Sequence, residues 1–384
     1  MRLPGTWPPA PTGPYELHRR LPGYEVTPLR ELDADDAADG VRVFVKDESC
    51  RFGLPAFKVL GAWWAITRAL GERLRDIGRD DLRERVDGLR WDDVSQLAEL
   101  FAPLRPLTLA AATDGNHGRG VAHVARRLGM AARIWVPAGT AAARIEAIRS
   151  EGAEVVVSDG SYDQAVHEAA AAAGPTTVVI ADTADGGSDP RVPEWVVEGY
   201  STIFREVDDQ LAAAGVAAVD VVVVPVGVGA LAAAAATHYR AAADGPALVG
   251  VEPTDAACVT ASVNAGHIVS LEGVQRSVMA GLNCGTPSAV AWPRVSQGFD
   301  WFITVDDAEA EDAVRSLAAR GIVSGESGAA SLAGWRQLAA VLPADPSASW
   351  PSAVLLISTE GATDPESFRR VTGREPASVQ PQAG

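Results

Sequence analysis

From residue 106 onward the chain alternates strand-like and helix-like segments with little between them, and this rhythm limits its possible folds more than any other feature. PLTLAAAT (106–113), ARIWVP (132–137), AEVVVSD (153–159) and TTVVIAD (176–182) are short strand-like runs, separated by helical NHGRGVAHVARRLG (116–129), AARIEAIRSEG (142–152) and YDQAVHEAAAAAG (162–174). Strands joined through helices run parallel by right-handed crossovers, with both sheet faces covered. A second series begins at VDVVVVPVG (219–227) and continues through helical VGALAAAAATHYRAA (228–242) to ALVGVEP (247–253), FITVDD (302–307) and SAVLLISTEG (352–361). The expected fold is therefore α/β, with two lobes that each hold a mostly parallel, helix-covered sheet. Residues 1–85 and 184–384 are expected to form a large lobe, and 86–183 a small one.

The remaining stretches are read as follows. Residues 1–15, rich in proline and glycine, are expected to drape over the surface. VRVFV before KDES alternates like a strand edge, and 55–75 reads as one amphipathic helix opening at Pro55, where a missing N–H costs least. The highly charged 76–103 stretch is expected to form solvated helices at the crossing into the small lobe. Residues 184–205 connect the lobes, and 370–384 form a frayed tail.

Composition excludes several classes of function. A net charge of −17 argues against nucleic acid or an anionic membrane as partner. No stretch reaches the roughly 18 consecutive apolar residues of a membrane span, and the N-terminus lacks the apolar core of a signal peptide, so the cytoplasm is expected. The 3 cysteines, Cys50, Cys258 and Cys284, suit neither a secreted disulfide framework nor a metal site.

Lysine occurs at positions 46 and 58 alone, while arginine supplies every other basic side chain. An imine-forming lysine must be desolvated enough to present a free amine. Lys58, between Phe57 and Val59-Leu60 in the first helical turn, has such a setting, and the helix N-terminus further disfavours its ammonium form. Lys46, beside Asp47 and Glu48, reads as a solvated turn. A single helical lysine is ordinarily a snorkelling surface residue; the loops elsewhere in the chain argue otherwise.

Four polar, glycine-bearing loops each follow a predicted strand, where open α/β sheets bind ligands. VPVGVGAL (224–231) places Gly227 and Gly229 at a strand-to-helix turn suited either to an anion or simply to a tight turn. It is no Walker loop, and Ala232 stands where a dinucleotide fingerprint needs its third glycine. In TDGNHGRG (113–120), Asp114 and Asn116 are candidates for chemistry or for plain helix capping, and His117 reads as structural. SGESG (324–328) is another polar glycine loop, and STEGATD (358–364) ends the last strand with hydroxyls that could face a heteroaromatic nitrogen.

Taken together, RFGLPAFKVLGAWWA, ATDGNHGRGVA, PEWVVEGYSTI, PVGVGALAA, GVEP, MAGLNCGTP, SGESGA and ISTEGATD resemble the tryptophan-synthase-like (fold type II) pyridoxal-phosphate enzymes, and among them the diaminopropionate ammonia-lyase subfamily. The resemblance runs from residue 22 to about 370. It implies that Lys58 holds pyridoxal 5'-phosphate covalently and then abstracts a proton. Asp114 would be a second acid/base on the opposite face, Asp182 another polar residue of the site, and one of these two aspartates the acid that protonates the departing β-amine. Gly227, Val228, Gly229 and Ala230 would supply N–H groups to the phosphate, Asn116 would meet the phenolic oxygen, and either Ser358 or Thr359 the pyridine nitrogen. The implied reaction is elimination of ammonia from 2,3-diaminopropionate, with a pair of bases able to accept both the L and the D isomer, by a cytoplasmic homodimer acting on a small amino acid. The family also pairs cysteines at positions like Cys258 and Cys284, so a bridge and two thiols both stand open. One departure is Ala362, where the family has aspartate, which bears on substrate preference. The rival readings are a serine/threonine dehydratase or β-replacement enzyme, and a non-catalytic cofactor binder; the presence of both Lys58 and Asp114 speaks against the last.

Overall fold

A computed structural model of the chain describes residues 7–32, 40–113, 115–160, 162–183, 189–341 and 351–379. Helix α1 (Gly13–His18) leads to an antiparallel pair, β1 (Leu29–Glu31) and β2 (Arg42–Asp47), and then to the long α2 (Val59–Asp76), α3 (Asp80–Asp87) and α4 (Val94–Leu100). The alternating series follows as β3 (Thr108–Ala112), α5 (Asn116–Leu128), β4 (Ala131–Val136), α6 (Ala142–Arg149), β5 (Glu154–Val157), α7 (Tyr162–Ala171) and β6 (Thr177–Val179). Its strands form a 4-stranded parallel sheet in the order β5-β4-β3-β6.

Helices α8 (Arg191–Gly199) and α9 (Ser201–Ala213) carry the chain back. There β7 (Val221–Pro225), α10 (Ala230–Tyr239), β8 (Ala247–Pro253), α11 (Cys258–Ala265), α12 (Trp292–Gly298), β9 (Trp301–Val305), α13 (Asp307–Ala319), α14 (Glu326–Val341), β10 (Ala353–Ser358) and α15 (Pro365–Thr372) complete the described elements. The second sheet has 6 strands in the order β1-β2-β10-β7-β8-β9, parallel from β2 onward. The two-lobed α/β architecture is as the alternation required.

The valine run of β7 shows why these strands lack a polar face. Val222 and Val224 point into one apolar layer, while Val221 and Val223 point into another beneath α13 and α14. A strand buried on both sides reads as continuous β-branched residues. The first layer runs unbroken from Leu109 and Ile134 of the small sheet through Leu60, Trp63 and Ile66 of α2 to Leu355 of the large one.

Several expectations are corrected. Helix α2 begins at Val59, not Pro55, because the 55–57 backbone is stitched to the loop after β10: Phe57 N donates to Thr359 O (3.3 Å) and Gly361 N to Pro55 O (2.9 Å). Lys58 thus becomes the helix cap residue. Lys46 is no solvated turn but fully buried, donating to Glu206 (2.7 Å), Gln210 (2.8 Å) and the Thr27 carbonyl (2.8 Å). Within 76–103, α3 is largely solvated, yet Trp91, Leu97, Leu100 and Phe101 enter the main core. The described part of the 184–205 connector, 189–205, is in large part core as well, since Trp195, Val196, Tyr200, Ile203 and Phe204 are buried. In the N-terminal 1–15 stretch α1 already begins at Gly13, and its His18 is buried between Thr202 Oγ1 (2.8 Å) and Leu60 O (3.0 Å). The segment after 370 stays helical to Thr372.

Candidate active site

The C-terminal ends of strands from both sheets face one cavity of about 840 Å³, where residues after β3 (Asn116), β6 (Asp182), β7 (Gly227) and β10 (Thr359) converge with Lys58. Lys58 is placed there by a close helix crossing. A Cβ on Gly120 of α5 would lie 3.1 Å from the Val59 Cα and 3.2 Å from its N, so glycine lets α5 press against the very start of α2.

The lysine side chain is 18% exposed, and its Nζ lies 3.0 Å from Asp182 Oδ2, itself buried. Tyr162 donates to the other oxygen, Oδ1, at 3.3 Å. Burial alone would raise the Asp182 carboxyl, but the Lys58 charge, with His117 and the two hydrogen bonds, holds it at about 2. The apolar setting expected for Lys58 is thus replaced by a charged pair. His117 is buried, with Nε2 2.7 Å from Ile180 O.

Opposite the lysine, β7 ends at Pro225 and α10 starts at Ala230, leaving Gly227, Val228 and Gly229 as a cup on the cavity wall. Gly229 has φ +97°, a conformation that favours glycine, and a Cβ on Gly227 would stand 3.1 Å from Gly281 O and 3.2 Å from Cys284 Sγ. First-turn N–H groups and the helix dipole there suit a phosphate. Tyr200 borders the same cavity with a buried hydroxyl that has no partner among the described residues. Leaving such a group unsatisfied costs about 1–3 kcal/mol, so it is suited to a bound ligand. Cup, lysine and unspent hydroxyl together fit a phosphorylated aldehyde cofactor.

The structure brings Lys58, Asn116, Asp182, Gly227, Val228, Gly229, Ala230 and Thr359 to this cavity. Ser358 is instead fully buried in the sheet, its Oγ 2.9 Å from Ser324 Oγ, and is not among the lining residues. Asp114 lies outside the described residues. The Asn116 amide Nδ2 donates to Glu360. Tyr162, Tyr200, Glu326 and Glu360 also line the cavity, and sequence reasoning assigned them nothing, although Tyr200 and both glutamates stand inside quoted motifs. Burial pushes the Glu326 carboxyl up, and the nearby Glu360 charge adds to it. Cys258 carries a free, buried thiol, pushed up to about 12 by burial and by Glu252, so the bridge to Cys284 is not formed. Among the described residues no group of 3 or more potential metal ligands occurs, and no helix is long and apolar enough to cross a membrane.

Fold and site together define a two-lobed α/β enzyme whose cavity suits a phosphorylated cofactor. The chain belongs to the pyridoxal-phosphate dependent enzyme family, whose model matches residues 20–359. It is 33% identical to the diaminopropionate ammonia-lyase of Salmonella typhimurium, over 92% of this chain and 90% of that protein. The solved structure of the Escherichia coli diaminopropionate ammonia lyase with an aminoacrylate-PLP azomethine reaction intermediate superposes with TM-score 0.81 at 33% identity, covering 96% and 94% of the two chains. The solved T.th. threonine deaminase matches at TM-score 0.70 and 26% identity, covering 92% and 98%.

Proposed function

We propose that this protein eliminates ammonia from 2,3-diaminopropionate, releasing 2-aminoacrylate, which water converts to pyruvate and a second ammonia. The observation that carries the reading is the Lys58–Asp182 pair at 3.0 Å, facing the same cavity as the 227–230 cup. Pyridoxal 5'-phosphate, when bound, supplies the electron sink that makes the substrate's Cα–H acidic. Lys58 would hold it, with the N–H groups of Gly227, Val228, Gly229 and Ala230 on the phosphate, Asn116 on the phenolic oxygen and Thr359 at the pyridine nitrogen. Of the two hydroxyls weighed for that nitrogen, Thr359 borders the cavity and Ser358 is engaged by Ser324.

With the cofactor bound, Lys58 Nζ would be the base for the Cα proton. Asp182, ionised because its carboxyl is held at about 2, steadies the resulting ammonium. The same low value makes Asp182 a poor proton donor to the departing β-amine. That role falls to the Lys58 ammonium, which has just received a proton, or to Asp114. Asp114, as a second base on the opposite face, would admit the D-isomer.

Pyruvate release from L- and D-diaminopropionate, L-serine and L-threonine tests this. Turnover of both diaminopropionate isomers is expected, with the D-reaction lost in Asp114→Asn and both lost in Lys58→Ala. Faster turnover of serine or threonine would instead favour the dehydratase reading, which the likeness to threonine deaminase keeps in play. The reading also places the enzyme in the cytoplasm as a homodimer, the state implied by the family resemblance; light scattering at twice the mass of the 40.0 kDa chain checks the second point.

A further inference from the structure

One buried charge lining the cavity has no part in the chemistry above. Glu360, just after β10, is 2% exposed, and its hydrogen-bond donors are neutral: Asn116 Nδ2 and Thr363 Oγ1 (3.3 Å), both on Oε2. Its other oxygen, Oε1, is buried without a partner among the described residues. A buried oxygen left without a partner costs stability.

The chain nevertheless builds a socket for it. Gly325 N donates to the Glu360 carbonyl (3.1 Å), and Ala56 pairs with Glu360 in an isolated antiparallel bridge. A Cβ on Gly325 would lie 2.7 Å from Gly361 O and 2.9 Å from Glu360 Oε1, and one on Gly328 would lie 2.9 Å from Glu360 O. The glycines of the SGESG run are therefore set by the closeness of Glu360. The same run opens α14, whose N-terminal dipole favours a negative charge beside it.

We propose that Glu360, seated against Gly325 and Gly328, is a positioning residue: it reaches across the cleft to hold the Asn116 amide in the orientation that meets the cofactor's phenolic oxygen. The proposal rests on the reading of Asn116 given above. Asn116 opens α5 on the small-sheet side, whereas Glu360 follows a strand of the large sheet. An amide gripped by one N–H keeps its second N–H and its carbonyl for a ligand. A carboxylate grips roughly twice as strongly as a neutral acceptor, which accounts for a glutamate here. Arg144 of α6 adds a second tie across the cleft by donating to Thr363 Oγ1 at 3.2 Å.

The test uses holoenzyme and two readouts besides turnover: the pH midpoint of the visible absorbance of the lysine-bound cofactor, and cofactor affinity from fluorescence titration. Glu360→Ala is expected to move the midpoint in the same direction as Asn116→Ala and to weaken cofactor binding about tenfold. The double variant should add little to Asn116→Ala alone, because the two residues act as one unit. Glu360→Gln keeps an acceptor of the same shape and should give a smaller shift in that direction. Gly325→Ala, which crowds the carboxylate, should resemble Glu360→Ala. A wild-type midpoint and affinity in Glu360→Ala, with both moved in Asn116→Ala, would overturn the proposal, as would additive effects in the double variant. If Glu360→Ala does not fold, Glu360→Gln decides by the same midpoint. If Asn116→Ala itself leaves the absorbance unmoved, the ring contact of Asn116 is wrong and the role of Glu360 falls with it.

Discussion

Lys46 ends in a closed set of charges. Its ammonium and the Arg51 guanidinium both reach Glu206 at 2.7 Å, and Arg51 also holds Glu48 at 2.7 Å, all with fully buried side chains. Burial alone would raise the Glu206 carboxyl, but Arg51 and Lys46 hold it below the ordinary carboxylate range. Lys46→Met removes one cation and strands the rest, so urea denaturation should show a loss of about 3–5 kcal/mol. Lys58, by contrast, pairs with Asp182 and lines the cavity. Asp182→Asn should leave the fold intact and lower kcat about 10²-fold or more, since the ammonium formed at Lys58 loses its counter-charge. The sign of its pH effect follows from a carboxyl depressed in the folded state: the stability it contributes is present above the ordinary carboxylate range and lost as pH falls toward about 2. Asp182 therefore adds no inflection between pH 5 and 8, and a kcat profile over that range that tracks the loss of an acidic group in the Asp182→Asn comparison would contradict the assignment.

Among the elements, α11 rests on an unusual cap. Glu252 at the end of β8 accepts from Val259 N (2.8 Å), Thr260 N (2.8 Å) and Thr260 Oγ1 (2.6 Å), yet burial outweighs these bonds and raises its carboxyl to about 7. The folded protein then binds this proton more tightly than the unfolded chain, so between its ordinary value and about pH 7 stability falls as pH rises. Thermal melts should show that slope, and Glu252→Gln should flatten it; an unchanged slope would mean the carboxylate is not the titrating group. Periodicity identified the strand that carries Glu252 and nearly every other strand and helix of the alternating series. It misplaced the start of α2, because the competitor for the 55–57 backbone is a loop some 300 residues away in sequence, whose hydrogen bonds no local pattern reports. It took the 184–205 stretch for a connector although α8 and α9 both carry an amphipathic stripe, with Val192, Val196, Ile203 and Val207 buried and Arg191, Arg205 and Asp208 exposed.

At the scale of the whole molecule, the cleft is closed by polar ties between elements far apart in sequence: Lys58 to Asp182, Asn116 to Glu360 and Arg144 to Thr363. The cup, the lysine and the asparagine loop were legible because glycine turns after strands and a lysine used twice in the chain stand out in one dimension. The partners of those residues were not, since Lys58 and Asp182 are separated by 124 positions, Asn116 and Glu360 by 244, and only the fold joins them. Lys46 was misread for the same reason, its partner Glu206 lying 160 positions away. The central claim, that Lys58 and not Lys46 carries the cofactor, is open to one direct measurement because the chain has no other lysine. Holoenzyme is reduced with borohydride, digested and sequenced by mass spectrometry. The account predicts a single pyridoxyl-phosphate adduct on the peptide containing Lys58, with Lys46 unmodified; an adduct on Lys46, or none on either lysine in cofactor-loaded protein, would contradict it.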